Sequence, residues 1–317
     1  MAIQNLNSMA DSGDKLPERI ERVIATLETV IVGKTEQLKS SVACLLSGGH
    51  LLIEDIPGVG KTTLAHALAR TLGLDYQRVQ FTSDMLPADV IGVSVYKRDS
   101  GSFEFHRGPI FANVVLGDEI NRATPKAQSA LLEAMEERQV TADGTTYSLP
   151  HPFFVIATRN PAHQVGTFPL PESQLDRFQM QIRLGYPDPA AERVLLSHQS
   201  GRAKIDAIVP AMSIEELLQI QEKVTTVHLA EPILDHIQAL IAHTRESSDY
   251  VTGLSPRGGI ALVRTAQAWA LMHGHAGVYP EDVQAVFPNI VAHRLERMSG
   301  DAPSDPGQAI LHAVPVP

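Results

Sequence analysis

A glycine-rich turn constrains the fold of this chain more than any other segment. It follows an apolar run typical of a buried strand and precedes a helical pattern, and its sequence is Asp55-Ile56-Pro57-Gly58-Val59-Gly60-Lys61-Thr62-Thr63. Glycines let backbone N–H groups point at phosphate oxygens, and the positive end of the following helix dipole favours the same anion. The sequence therefore predicts a phosphate-binding loop between a strand and a helix, and hence an α/β fold.

The side chains of this loop predict ATP and magnesium as its ligands. We expect Lys61 to neutralise the β- and γ-phosphates and the Thr62 hydroxyl to ligate Mg²⁺. Asp55 stands where the usual pattern has glycine, and we expect that departure to be tolerated because the first position mainly shapes the turn. The alternative is a glycine-rich strand–helix turn with a chance lysine. The loop residues expected at the nucleotide are Pro57, Gly58, Val59, Gly60, Lys61, Thr62 and Thr63.

The middle third of the chain alternates apolar runs with helical patterns, which is typical of a parallel sheet wrapped by helices. Residues 114–116 and 153–156 are continuously apolar, as expected of strands that are buried on both faces. Residues 92–106 and 139–149 each pair two strand patterns around a polar turn and predict inserted β-hairpins. The strands predicted for the sheet are 50–54, 76–81, 113–116, 153–157 and 180–184.

Acidic and amide side chains follow two of these predicted strands. Asp118 and Glu119 end one apolar run, and Asn160 follows another. The carboxyl ends of parallel strands meet at one edge of a sheet, which here also carries the phosphate loop. We expect Asp118 to hold Mg²⁺ through water and Glu119 to act as general base on the attacking water. We expect Asn160 to hydrogen-bond that water or the γ-phosphate, and the alternative is an Asn-Pro turn.

Two arginines have local sequences that suit a role at the nucleotide. Arg177 precedes the last predicted strand, and its guanidinium offers a permanent charge in a rigid fork suited to phosphate. Arg257 follows Ser255 and Pro256, which are a good N-cap and a good first residue of a helix. That placement directs Arg257 outward, toward nucleotide held between two domains. The alternatives are a surface ion pair between Asp176 and Arg177 and a solvated Arg257.

The chain divides into a nucleotide-binding part and a helical part. Two prolines in residues 185–189 interrupt regular structure and mark the boundary. Helical patterns follow at 190–200, 214–224, 232–246, 257–273 and 280–298, and the segment from 301 is rich in proline. We therefore predict a flexible tail over 1–16, a core over 17–186, a helical lid over 187–300 and a C-terminal tail over 301–317.

Charge and composition argue against several other classes of protein. The formal net charge is −10 and aromatic residues make up 5% of the chain, which is a poor basis for binding nucleic acid. The single cysteine, Cys44, forms neither an internal disulfide nor a Cys-rich metal site. No apolar run reaches the roughly 18 residues of a membrane span, and residues 1–16 lack an apolar secretion signal. We expect a cytoplasmic protein without a membrane span.

Ordered motifs extend from about Val30 to the C-terminus. The most specific are 80–89 (QFTSDMLPAD), 108–113 (GPIFAN), 118–123 (DEINRA), 130–138 (ALLEAMEER) and 166–172 (GTFPLPE). Together they resemble the MoxR family of AAA+ ATPases. The resemblance implies an αβα core with a five-stranded parallel sheet and a smaller, all-helical lid. Arg159 departs from the commonest pattern, in which glutamine often precedes the asparagine.

The resemblance also implies roles for individual residues. The two hairpins correspond to the helix-2 insert and the pre-sensor-1 hairpin, which normally face a ring pore. The implied roles are Walker A for Lys61 and Thr62, Walker B for Asp118 and Glu119, sensor 1 for Asn160, arginine finger toward a neighbouring subunit for Arg177, sensor 2 for Arg257, and contact with adenine for Val32 and Gly33.

Members of this family resemble chaperones that use ATP to mature partner complexes or to insert cofactors into them. The resemblance thus implies a Mg²⁺-dependent ATPase that forms a homo-hexamer and works with a client complex and a von Willebrand factor A-domain protein. Two alternatives are a nucleic-acid or chelatase-type motor subunit and a non-catalytic nucleotide-sensing scaffold. The acidic charge disfavours the motor, and intact Asp118, Glu119 and Arg177 disfavour the scaffold.

Overall fold

The computed structural model describes residues 16–160, 168–197, 201–298 and 305–316. Residues 1–15 of the tail predicted over 1–16, and the motif residues Gly166 and Thr167, lie outside the described residues. Leu16, which we placed at the end of that tail, is instead the first residue of a helix.

Strands and helices alternate in the first part of the chain, and helices follow one another in the second. The strands are β1 (Leu51–Glu54), β2 (Tyr76–Gln80), β3 (Gly92–Lys97), β4 (Ser102–Arg107), β5 (Val114–Asp118), β6 (Gln139–Ala142), β7 (Thr145–Ser148), β8 (Phe154–Arg159) and β9 (Met180–Ile182). The helices are α1 (Leu16–Glu28), α2 (Thr35–Leu46), α3 (Lys61–Thr71), α4 (Pro87–Ile91), α5 (Pro125–Glu137), α6 (Glu172–Leu175), α7 (Pro189–Ser197), α8 (Gly201–Asp206), α9 (Ile214–Val224), α10 (Glu231–Glu246), α11 (Pro256–Met272), α12 (Pro280–Val291) and α13 (Pro306–Ala313).

A five-stranded parallel sheet forms the centre of the molecule, in the order β2-β5-β8-β1-β9. This confirms the predicted sheet, with strand ends that differ by one or two residues. The register pairs Gln80 with Asp118 and Gly117 with Ala157, so the carboxyl ends of β2, β5 and β8 lie side by side. Polar residues at these ends therefore share one edge of the sheet.

The sheet is covered on both faces. Successive residues of a strand point to opposite sides, so one strand contributes to the hydrophobic cluster on each face. Val114 and Leu116 of β5 belong to the hydrophobic cluster that also contains residues of α1, α2 and α3. Val115, between them, belongs to a second cluster that contains residues of α5. The structure thus has the three layers of the predicted αβα core.

Two antiparallel hairpins extend from this core, β3–β4 and β6–β7, as predicted. They touch each other through aromatic rings: Phe105 of β4 stacks on Tyr147 of β7 with ring centroids 4.4 Å apart. Tyr96 and Phe103, opposite one another on β3 and β4, are exposed.

The helical part differs from the prediction at three places. The helix predicted over 280–298 ends at Val291, and Arg294 beyond it bonds to carbonyls of the core instead of continuing the helix. Residues 201–206 form the unpredicted helix α8. The tail predicted over 301–317 contains α13, whose first turn has Asp305 as N-cap and Pro306 at the first position, and whose Ile310 is buried.

Within the described residues, none of the helices combines the length and apolar character needed to cross a lipid bilayer.

Candidate active site

The phosphate loop joins β1 to α3 and has the predicted conformation. Gly58 and Gly60 have φ of +87° and +97°, a region in which residues with a Cβ are strained. Gly60 is the N-cap of α3, so the first backbone N–H groups of the helix face the open side of the loop. The glycine positions are therefore those that the turn requires.

A cavity of about 310 Å³ lies at this edge of the sheet. Most of the residues predicted to bind or hydrolyse ATP line it, although they come from the ends of three different strands. The lining residues are Pro57, Gly58, Gly60, Lys61, Thr62, Thr63, Asp118, Glu119 and Asn160. Val59, which we expected there, packs instead against the hydrophobic core, because the turn directs its side chain inward.

Lys61 lies in this cavity with its ammonium group on its own loop. Its Nζ donates to the carbonyl oxygens of Asp55 at 2.5 Å and of Ile56 at 3.0 Å, and it lies 3.5 Å from Oδ1 of Asn160. Burial lowers the pKa of Lys61, while the carboxylates of Asp55, Asp118 and Glu119 act in the opposite direction. The side chain is a partly desolvated cation in reach of the cavity.

Asp118 ends β5 and is buried. Its Oδ1 accepts a hydrogen bond of 2.6 Å from the Thr158 hydroxyl. Its Oδ2 accepts from Nε and Nη2 of Arg78 at 3.2 and 2.6 Å. The carboxylate is therefore held in one orientation by β8 on one side and by β2 on the other.

Glu119 has φ of +56°, an uncommon conformation for a residue with a side chain. Its N–H donates to the Thr158 hydroxyl at 2.8 Å, which fixes this turn. Its Oε1 accepts from Nδ2 of Asn160 at 3.0 Å, and its Oε2 accepts from Gln80 at 3.1 Å and from Arg122 at 2.8 Å. Glu119 and Asn160 thus form one hydrogen-bonded pair.

Four residues of this network were missed by the sequence analysis: Arg78, Gln80, Arg122 and Thr158. Arg78 and Gln80 share one face of β2 because they are two residues apart. The pairing of Gln80 with Asp118 brings that face to the acids. The sequence does show polar residues near the ends of these strands. Assigning them to the site, however, requires knowledge of which strands are neighbours in the sheet.

Val32 and Gly33 lie outside the cavity, in the turn between α1 and α2. A Cβ at Gly33 would lie 2.9 Å from Cβ of Ala191 on α7, so the turn packs closely on the first helix of the second part. Asp55 connects the phosphate loop to the same region, because its Oδ2 accepts from the N–H of Gly185 at 2.6 Å. Its Oδ1 accepts from Ile56 at 2.8 Å, which shapes the turn in place of a glycine.

The two predicted arginines also lie outside the cavity. Nη1 of Arg177 donates to the carbonyl of Leu132 on α5. Nη2 of Arg257 forms an ion pair of 2.8 Å with Glu136, one turn further along α5. Arg257 is thus paired with a residue of α5 and is not among the described residues that line the cavity, and its expected role at the nucleotide stays a prediction.

The donor groups in the cavity fit a magnesium–triphosphate ligand. Mg²⁺ prefers hard oxygen ligands, and the Thr62 hydroxyl and Asp118 carboxylate both line the cavity. The loop N–H groups and Lys61 are suited to phosphate oxygens. Glu119 adds a second carboxylate, which accepts a hydrogen bond from Asn160.

Comparison with known proteins gives consistent matches. The ATPase family associated with various cellular activities (AAA) matches residues 50–180, and the AAA lid domain matches residues 242–314. The uncharacterised protein YeaC of Bacillus subtilis is 46% identical over 274 residues, 86% of each chain. Chaperone MoxR1 of Mycobacterium tuberculosis is 38% identical over 87% of this chain and 75% of its own length. A candidate ATPase from Cytophaga hutchinsonii, solved by crystallography, superposes with a TM-score of 0.86 at 36% identity, over 95% of this chain and 96% of its own.

Proposed function

This chain belongs to the MoxR family of AAA+ ATPases, and on that basis we propose that it is a Mg²⁺-dependent ATP hydrolase with a chaperone-like role. The observation that carries the proposal is the convergence of Lys61, Asp118, Glu119 and Asn160 on one cavity. A phosphate loop alone supports binding of ATP. Hydrolysis also requires a base and a polar group that orients the attacking water, and Glu119 and Asn160 supply them.

Binding uses the phosphate loop and its lysine. Backbone N–H groups at the start of α3 and the Lys61 ammonium neutralise the phosphates, which requires Lys61 to leave the carbonyls of Asp55 and Ile56. Thr62 directly and Asp118 through water would hold Mg²⁺, which would supply charge neutralisation at the phosphate oxygens when bound. Val32 and Gly33 contact the adenine from the turn beside α7.

Hydrolysis uses Glu119 and Asn160. A carboxylate oxygen of Glu119 takes a proton from the attacking water as the water oxygen bonds to the γ-phosphorus, while the bond from that phosphorus to the bridging oxygen breaks and ADP leaves with that oxygen. The Asn160 amide orients Glu119, with which it is already hydrogen-bonded at 3.0 Å, and it contacts the water or the γ-phosphate. Thr158 keeps Glu119 and Asp118 in fixed relation, since its hydroxyl bonds to both.

Arg177 and Arg257 act on the nucleotide of a neighbouring subunit in a homo-hexameric ring. Support comes from their position, because both side chains contact residues of α5 and neither is among the described residues that line the cavity of its own chain. A guanidinium that reaches a triphosphate across a subunit boundary acts as an arginine finger, worth about 10³–10⁵ in rate. Arg257 thus keeps its proposed role at the nucleotide, but in trans.

The work of the ring is done on other proteins. One relative is named a chaperone, and we propose by analogy that this chain remodels a client complex together with a von Willebrand factor A-domain protein. The hairpins β3–β4 and β6–β7 would face the pore, where the exposed Tyr96 and Phe103 offer apolar contact surface. Maturation or cofactor insertion is the outcome we propose for the client.

The experiment that tests this function is a phosphate-release assay on the purified chain. We expect ATP hydrolysis that requires Mg²⁺, stops with EDTA and is unchanged by added DNA. ATP binding without phosphate release would support a sensing scaffold instead. Stimulation by DNA with a steep salt dependence would support a nucleic-acid motor.

A further inference from the structure

Asp176 lies between α6 and β9, directly before Arg177. Its Oδ1 accepts from Nε of Arg294 at 2.7 Å, and its Oδ2 accepts from the Ser255 hydroxyl at 2.8 Å. Both partners belong to the helical part of the chain, one at the start of α11 and the other after α12. A single carboxylate therefore joins the arginine-bearing segment of the core to two points of the lid.

Arg294 extends this attachment to the main chain on both sides of Arg177. Its Nη2 donates to the carbonyl oxygens of Asp176 at 3.1 Å and Phe178 at 2.5 Å, and its Nη1 donates to that of Gln179 at 3.0 Å. The Arg294 side chain is only 4% exposed, so these bonds are shielded from competing water. The backbone that carries Arg177 is thereby held in one position.

Ser255 performs the corresponding function for Arg257. Its hydroxyl oxygen accepts from the N–H of Gly258 at 3.0 Å as the N-cap of α11, while its O–H donates to Asp176. Arg257 lies in the first turn of that helix. The direction in which Arg257 leaves the helix is therefore set by a residue bonded to Asp176.

The two arginines converge on one face of α5. Their contacts there are the Leu132 carbonyl and the Glu136 carboxylate, which are four residues apart and hence one above the other. Nε of Arg177 is buried and has no hydrogen-bond partner among the described residues. A buried N–H donor without a hydrogen-bond partner costs free energy. The hydrogen bonds of Arg177 itself therefore do not account for its position, and other contacts must hold it there.

We propose that Asp176, Ser255 and Arg294 form a clamp that presents Arg177 and Arg257 as one unit to the nucleotide site of the next subunit. This rests on the proposed trans role of the two arginines. The clamp residues are positioning residues and touch no nucleotide. The clamp also makes the presentation depend on the lid, so a movement of α11 and α12 would withdraw both arginines together.

The test combines Asp176→Ala with mixed rings. In rings of Asp176→Ala alone, we expect kcat to fall by about 10- to 100-fold with an unchanged KM, because binding in the same subunit is intact while trans assistance is lost. Lys61→Ala subunits carry intact arginines, and the assay uses an ATP concentration at which their weakened sites stay largely empty. In a one-to-one mixture, a site regains activity when its own subunit is Asp176→Ala and the neighbour that supplies the arginines is Lys61→Ala. If subunits assort at random around a head-to-tail ring, this holds for about a quarter of the sites.

Ser255→Ala is the second variant, since it removes one hydroxyl and leaves the Asp176–Arg294 pair in place. We expect a smaller loss of kcat that is rescued in the same mixture. Its matched control is Ser213→Ala, which removes the N-cap of α9 but no clamp contact and should leave kcat unchanged. Ser255→Ala also decides the question if Asp176→Ala does not fold.

The outcomes separate the clamp from the proposed function. Suppose that Arg177→Ala lowers kcat and that Lys61→Ala subunits restore its activity. The clamp is then overturned if Asp176→Ala and Ser255→Ala keep full activity, or if Lys61→Ala subunits do not restore the activity of these two variants. If Arg177→Ala itself keeps full activity, the trans role proposed above fails first.

Discussion

Thr158 shows how one side chain organises this site. Its hydroxyl donates to Oδ1 of Asp118 and accepts from the N–H of Glu119, so both acids depend on a single oxygen atom. Thr158 is fully buried. Because water does not reach the bonds, loss of the hydroxyl leaves polar groups unsatisfied.

Thr158→Val is therefore expected to slow hydrolysis more than it weakens ATP binding. Valine has nearly the same shape, so the change removes the two bonds without leaving a cavity. We expect a loss of about 1–3 kcal/mol in the free energy of unfolding, together with a lower kcat. Thr158→Ser keeps the hydroxyl and serves as the control in denaturation and phosphate-release measurements. Equal kcat for the valine and serine variants would contradict the assignment.

Lys61→Ala removes the cation that faces the phosphates. We expect binding of a fluorescent ATP analogue to weaken on the order of 100-fold, since loss of one partner of a buried charge pair costs several kcal/mol. Lys39→Ala, which removes a surface lysine paired with Glu36, is the control and should bind normally. Binding by Lys61→Ala within threefold of the wild type would refute the role of this lysine.

At the residue scale, the sequence was sufficient for groups whose motif fixes their position. Lys61, Thr62, Asp118, Glu119 and Asn160 lie together as predicted, because strand ends in a parallel sheet share an edge. The ion pair of Arg257 with Glu136 was not predictable, because the two residues lie 121 positions apart and no local pattern connects them. The roles of all these residues in binding and hydrolysis remain predictions.

At the scale of elements, His50 joins three of them. It precedes β1, its Nδ1 accepts from the N–H of Val155 on β8 at 2.9 Å, and its Nε2 lies 3.3 Å from the carbonyl of Met135 on α5. An Nδ1 that accepts a hydrogen bond carries no proton, so this histidine is neutral in the folded protein. Burial lowers the pKa of His50 to about 4.

The free energy of unfolding is therefore expected to decrease as the pH is lowered from 6.5 to 4. The unfolded chain binds a proton at His50 in this range and the folded chain does not, so the contribution is complete above pH 6.5 and is lost as the pH falls toward 4. A full shift of this size corresponds to about 3 kcal/mol in the free energy of unfolding. Urea unfolding at several pH values measures it.

His50→Gln should reduce this pH dependence even if it lowers stability throughout, and the buried His293, whose pKa is also lowered by burial, accounts for part of what remains. His312→Gln changes an exposed histidine at the end of α13 and should retain the wild-type slope. A slope that is unchanged in His50→Gln would contradict the assignment of this proton to His50.

The elements themselves were largely predictable from the sequence. The sheet strands are apolar runs, and their hydrophobic pattern is strong because they are buried on both faces. The helix α13 was missed because a proline-rich segment was taken as a tail, although Pro306 is well suited to the first turn of a helix. The ends at 186 and 300 that we proposed for core and lid stay predictions.

At the scale of the whole molecule, no arginine is among the described residues that line the cavity of one chain. We therefore expect turnover to depend on assembly. In sedimentation velocity experiments, Glu119→Gln with ATP and Mg²⁺ should form a species of the mass of a hexamer. Dilution of the wild type below its assembly range should reduce activity per chain. A monomer with full activity would contradict the trans role of Arg177.

The hexamer, the client and the partner protein rest on the family resemblance alone, because assembly and partner choice depend on surfaces rather than on motifs. The net charge of −10 and the exposed hairpin aromatics restrict the possible partners only broadly. By contrast, the cavity at the phosphate loop draws on residues from three strand ends of one chain.

The most direct test of the account is a paired measurement on Glu119→Gln, in which ATP binding and phosphate release are followed on the same sample. We predict binding as tight as in the wild type and phosphate release slower by at least about 100-fold, since the general base is lost while the phosphate loop is intact. Phosphate release at the wild-type rate would show that Glu119 is not the base and would contradict the proposed mechanism.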